Sequence, residues 1–144
     1  MKKVVNTQIL ICFLTLFICA CNPSGPEPIN FGKDQCHYCK MTIANPNYGA
    51  ELITDKGRIL KYDATECMVN HIKEESASYQ DLFVIAYNEP KQLYKVDSLY
   101  FIISLDFRSP MGANLAAFSK KSEIQPKYES LILNWEQLVN KLSK

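Results

Sequence analysis

Histidine is scarce in this chain, with two among 144 residues, and tryptophan occurs once. No Ser/His/Asp arrangement or other nucleophile–base pair is visible, so the sequence does not read as that of an enzyme. Charge of one sign is lacking too: 16 basic side chains face 15 acidic ones. Without a basic stripe to neutralise phosphates, nucleic acid is excluded as a partner. No internal repeat or low-complexity tract stands out. The longest uncharged apolar stretch, Ile9 to Ala20, falls short of the roughly 20 residues a bilayer-spanning helix requires.

That stretch follows the basic Met1-Lys2-Lys3 and has the length of a signal-peptide hydrophobic region. It ends in Ile18-Cys19-Ala20-Cys21, which resembles a bacterial lipobox, with cleavage before a cysteine whose thiol is then acylated. Residues 1–20 are therefore expected to be removed and Cys21 to carry the lipid. Two or three acyl chains suffice for stable anchoring. Loss of Lys2 and Lys3 leaves 14 basic residues against 15 acidic, a formal charge of −1. Residues 21–30, rich in proline and glycine, read as a tether, and 31–144 as one small domain.

Six cysteines are present, but Cys12 and Cys19 leave with the signal peptide and Cys21 is the lipid site. Cys36, Cys39 and Cys67 remain. An odd number cannot pair completely, so an exported domain retains at least one thiol.

Periodicity predicts an α+β domain with short antiparallel strands and two helices. Ala50–Thr54 and Arg58–Tyr62 flank a glycine-containing turn and read as a hairpin. Asp63 and Glu66 form a capping-box pattern opening a helix that carries Cys67, Met68, His71 and Ile72. Leu82–Tyr87, Leu99–Ile103 and Leu115–Phe118 read as strands, with Asn88–Lys91 as the turn between the first two. A terminal helix follows Pro126, with Leu131, Trp135, Leu138, Val139 and Leu142 on one stripe.

Soft ligands concentrate in Cys36-His37-Tyr38-Cys39-Lys40-Met41. Thiolate and thioether sulfur suit monovalent copper, a soft ion. Cys67 and His71, four apart on a helix, share a face, with Met68 beside them. Bland readings compete: Cys36 and Cys39 can form a disulfide, Met41 and Met68 can be core, and His37 can be loop surface. Two further alternatives carry function. Cys36-x2-Cys39 with Cys67-x3-His71 has the spacing of a structural Cys3His zinc site, serving a binding module. Cys36 and Cys39 could also act as a thiol–disulfide oxidoreductase pair.

The series Cys36-x-x-Cys39-Lys40-Met41-Thr42-Ile43, Tyr48-Gly49-Ala50-Glu51, Gly57 to Asp63, Glu66-Cys67-Met68 and Ser109-Pro110-Met111-Gly112 through Phe118 resembles the nitrous oxide reductase accessory lipoprotein (NosL) family, in order and over nearly the whole domain. The resemblance implies a periplasm-facing copper(I) chaperone of α+β fold, built from two topologically related modules. It also implies a client cuproenzyme, with nitrous oxide reductase as the expected one, and an ABC-type maturation complex as partner. By position, Cys39 and Met41 match the family's Cys-Gly-Met core and Met111 its later methionine, so these three rank first as copper ligands. Lys40 stands where the family usually has glycine, which puts the local turn in question. Cys36 has no counterpart in some members, and Cys67 and His71 follow only part of the family; with Met68 these rank lower. Asn22 after Cys21, in place of an aspartate, tilts the expected location toward the outer membrane.

Overall fold

The computed structural model describes residues 25–143. The expected signal peptide, Cys21 and the expected tether up to residue 24 lie outside the described residues. The expected hairpin forms as β1 (Ala50–Thr54) and β2 (Ile59–Tyr62), antiparallel with Ala50 opposite Tyr62. Helix α1 (Thr65–Glu75) follows, then β3 (Tyr79–Ile85) and β4 (Leu93–Lys95). These strands make one antiparallel sheet in the order β2-β1-β3-β4. A second, two-stranded sheet pairs β5 (Tyr100–Ile103) with β6 (Leu115–Phe118), and α2 (Trp135–Leu142) closes the described chain. No helix among the described residues is long and apolar enough to cross a membrane.

The central strand β1 is buried along Ala50-Glu51-Leu52-Ile53. Ala50 and Leu52 enter a core with Tyr62, Cys67, Met68, Val84, Phe101 and Leu138 that spans both sheets and both helices. Gly49, which leads into β1, has φ +131°, and a Cβ there would lie 3.1 Å from the tips of both Ile29 and Ile85. Only glycine accommodates that backbone and that approach together. The sheets are stitched by the Tyr87 N–H, which donates to the Ala117 carbonyl at 2.8 Å. Phe101 and Leu133 exchange two backbone bonds, tying β5 to the segment entering α2.

Three expectations change. The capping box at Asp63 does not form: Ala64 is the N-cap and no side chain caps α1. Asp63 instead accepts a hydrogen bond from the Ala44 amide, and Glu66 bonds Ser109 across the core. The Asn88–Lys91 turn leads not to β5 but to the three-residue edge strand β4, which is too short and polar to show a period. The terminal helix starts at Trp135, not after Pro126. Residues Pro126–Leu131 form 3-10 turns, leaving Leu131 exposed, and Asn134 and Gln137 make a reciprocal capping box.

Candidate metal centre

Cys36 to Met41 form a tight knuckle closed by backbone bonds. The Cys36 N–H donates to the Met41 carbonyl at 2.8 Å, and the Lys40 N–H to the Cys36 carbonyl at 3.0 Å. Gln35 and Thr42 bridge its base. The His37 N–H donates to the Lys61 carbonyl at 2.7 Å, fixing the knuckle against β2. Lys40 sits at φ +64°, the left-handed conformation a glycine adopts freely. The turn is therefore kept without the glycine, and the Lys40 ammonium folds back onto the His37 carbonyl.

This knuckle delivers Cys36 and Cys39 to Cys67, the third residue of α1. The three sulfur atoms lie within 4.8 Å of one another. All three are free thiols. Cys36 and Cys67 have 0% exposure, whereas Cys39 is half-buried and faces the surface. Among the described residues no other group of histidine, cysteine or carboxylate ligand atoms converges this way.

The electrostatics favour a single thiolate, at Cys36, stabilised by its two neighbours as thiols. The Cys67 thiol donates to Cys36, and the amides of Asp63 and Cys39 also point at the Cys36 sulfur, holding its pKa well below the usual thiol range. The same shared proton, with burial, pushes Cys67 up. Burial also raises Cys39, partly offset by the Met41 amide directed at its sulfur. The first turn of α1 adds the partial positive charge of a helix N-terminus.

The remaining candidates are placed differently. His71 is buried, but its Nδ1 lies 2.6 Å from the Tyr62 hydroxyl and its Nε2 3.1 Å from Glu75. Both ring nitrogens are engaged away from the sulfur group. Met68 is wholly buried in the core. Met41 and Met111 are 61% and 40% exposed, so both residues lie at the surface. Met111 lies in the loop between β5 and β6, fastened to α1 by the Ser109 hydroxyl, which donates to Glu66 and accepts the Leu115 N–H at 3.2 Å.

Sequence reasoning missed three supporting residues. Tyr62 has 0% exposure and orients His71, a role with no sequence signal beyond an aromatic residue at the end of β2. His37 packs on His71, with ring centroids 4.9 Å apart, and is no simple surface residue. Ser109 was legible only as part of a loop motif.

Fold and site together define a small α+β domain that gathers three thiols in a group able to hold a metal ion. The family model named NosL matches residues 28–126, and the chain belongs to the NosL family. Its fold is similar to the crystal structure of the copper chaperone NosL from Shewanella denitrificans, with a TM-score of 0.69 at 16% identity, over 80% of this chain and 96% of that one. A search of curated proteins finds no significant match.

Proposed function

We propose that this chain is a lipid-anchored, periplasm-facing carrier of copper(I) rather than an enzyme. It would hand its cargo to a maturation complex serving a cuproenzyme, with nitrous oxide reductase as the client the family name suggests. The observation that carries this reading is the convergence of the Cys36, Cys39 and Cys67 sulfurs, two buried and one reaching the surface. Soft thiolates select monovalent copper. A closed structural zinc site takes four ligands, and the expected fourth, His71, is occupied by Tyr62 and Glu75. Three thiolates without a fourth protein donor fit a low-coordinate ion that must later be released. Met41 and Met111 supply further soft donors at the surface, and neither belongs to the usual ligand set of zinc.

The test has two parts. Mass spectrometry of the protein extracted from membranes should find an acylated Cys21 as the first residue; an unmodified N-terminus on soluble protein removes the anchor. Reduced protein offered copper(I) and zinc together under anaerobic conditions should retain one copper through gel filtration. Retention of zinc in its place contradicts the carrier reading.

A further inference from the structure

The three-cysteine group and the exposed methionine beside it are not one site. We infer that copper(I) has two seats in this protein, an inner one formed by Cys36, Cys39 and Cys67 and an outer one in which Cys39 is shared with Met41. The inference rests on the copper-carrier reading and deepens it by assigning an order to binding and release.

Burial separates the seats. Cys36 and Cys67 are wholly inaccessible, so an ion arriving from solvent meets Cys39 first. Met41 is two residues further on, and its side chain, 61% exposed, stands outside the cluster. The knuckle hydrogen bonds fix that division: the Met41 amide is directed at the Cys39 sulfur and its carbonyl accepts from Cys36, while the side chain is left outward.

The inner seat has the right size. Metal–thiolate bonds of ~2.3 Å place three sulfurs around a trigonal ion about 4 Å apart. The sulfurs already lie within 4.8 Å of one another, so closure on an ion takes less than about an ångström per pair. Neither histidine completes a tetrahedron there. His71 is held by Tyr62 and Glu75, His37 packs edge-on against it, and the ligand atoms of neither fall within the sulfur group.

Release then proceeds by ligand exchange without electron transfer. The bonds from copper to Cys36 and Cys67 break as the Met41 thioether, and then the acceptor, bond to it. Copper remains monovalent, and the two vacated thiolates take up protons from water. Cys39 stays bound throughout and acts as the pivot. The inner seat protects the ion from solvent, and the outer one presents it.

X-ray absorption at the copper edge of the reduced, loaded protein, together with affinity and transfer kinetics of variants, tests this. The absorption spectrum should show three sulfurs and no nitrogen. Met41→Leu should bind within about threefold of wild type but deliver copper to a chelating acceptor at least about fivefold more slowly. Cys36→Ser and Cys67→Ala should weaken binding by about tenfold or more and speed transfer. Circular dichroism identifies any variant that does not fold. A sulfur count that stays at three in both Met41→Leu and Met111→Leu separates the three cysteines from the alternative trio of Cys39, Met41 and Met111. A drop to two in either variant contradicts the inner seat. Two sulfurs in the spectrum, or an affinity loss for Met41→Leu that matches Cys39→Ser while folded Cys36→Ser and Cys67→Ala bind normally, overturns the two-seat arrangement and leaves a single Cys39–Met41 site. Failure of wild-type protein to retain copper(I) at all refutes the carrier reading instead.

Discussion

The knuckle at Cys36–Met41 and the methionine loop at Ser109–Asn114 both carry sulfur, and they are held in opposite ways. The knuckle is bound by backbone bonds to itself, to β2 through Lys61, and to the segment before it. Lys61 adds side-chain bonds to Asp34 at 2.9 Å and to the Pro28 carbonyl at 2.9 Å. The methionine loop is tied to α1 around one buried carboxylate: Glu66 accepts from the Ser109 hydroxyl and from the Ala113 amide, the Ser109 oxygen accepts the Leu115 N–H, and the Gly112 N–H donates to the Ser109 carbonyl at 3.0 Å. Fixed donors suit a seat that retains an ion. A loop tied to the fold mainly through one buried carboxylate suits a donor that must reach toward a partner.

Cutting the Ser109 tie should have the largest effect on stability. Glu66 is buried, one of its oxygens already lacks a partner, and burial raises its pKa. Ser109→Ala removes the one side-chain donor to this buried carboxylate and leaves it only backbone amides, Ala113 among them, which should cost about 1–3 kcal/mol. Urea unfolding should give that loss, and limited proteolysis should cut within residues 109–114 while the knuckle stays intact. Equal protection of the loop in the variant would mean that the Ala113 amide, and not Ser109, holds it to Glu66.

The strand β1, which pairs with the β2 strand that supports the knuckle, contains a titration that sharpens the contrast. Glu51 in β1 has 0% exposure and accepts the Glu27 N–H at 3.0 Å, and burial pushes its pKa up to about 7 from the usual 4.5. A carboxyl whose folded pKa is raised favours folding at low pH. That contribution is complete below about 4.5 and is lost as pH climbs through about 7. Glu51→Gln keeps the acceptor oxygen and removes the charge. It should therefore stabilise the protein on the order of 2 kcal/mol above pH 7 and change little below pH 4.5. Denaturation midpoints at pH 4 and pH 8 check the sign; a variant gaining more at pH 4 would reverse it.

The smallest effect belongs to Lys40, the one knuckle residue held at φ +64°. Lys40→Gly should relieve ~1 kcal/mol of left-handed strain, reduced by glycine's greater freedom in the unfolded chain. A thermal melt should show an unchanged or slightly raised midpoint with the copper affinity preserved. A clear fall in the midpoint would mean that the Lys40–His37 bond, and not the turn, matters.

Patterns local to a few residues were legible in the sequence. The alternating runs around Gly57 became β1 and β2 with the expected pairing, and Leu115–Phe118 became β6 within its expected bounds. The helix after Tyr62 was legible as an element, but not its start. Asp63 and Glu66 have the capping spacing, yet each finds a stronger partner from a distant loop, Ala44 and Ser109. Such long-range competition leaves no trace in local spacing. The grouping of Cys36, Cys39 and Cys67 was visible in the zinc-like spacing, but His71 was counted with them because residues four apart share a helix face. Sharing a face does not fix where a ring points, and Tyr62, packed below it, takes the nitrogen. The exposure of Met41 and Met111 was illegible for a similar reason, since methionine has no strong preference that reveals its side.

Cys39 is common to both seats and is the only cysteine of the three that reaches the surface. The most direct test is a competition titration with a copper(I) chelator, anaerobic and at one fixed pH because thiolate ligands release protons on binding. The account predicts that Cys39→Ser loses at least about a hundredfold in affinity, ~2.7 kcal/mol, while its fold is unchanged. Wild-type affinity in Cys39→Ser would contradict it.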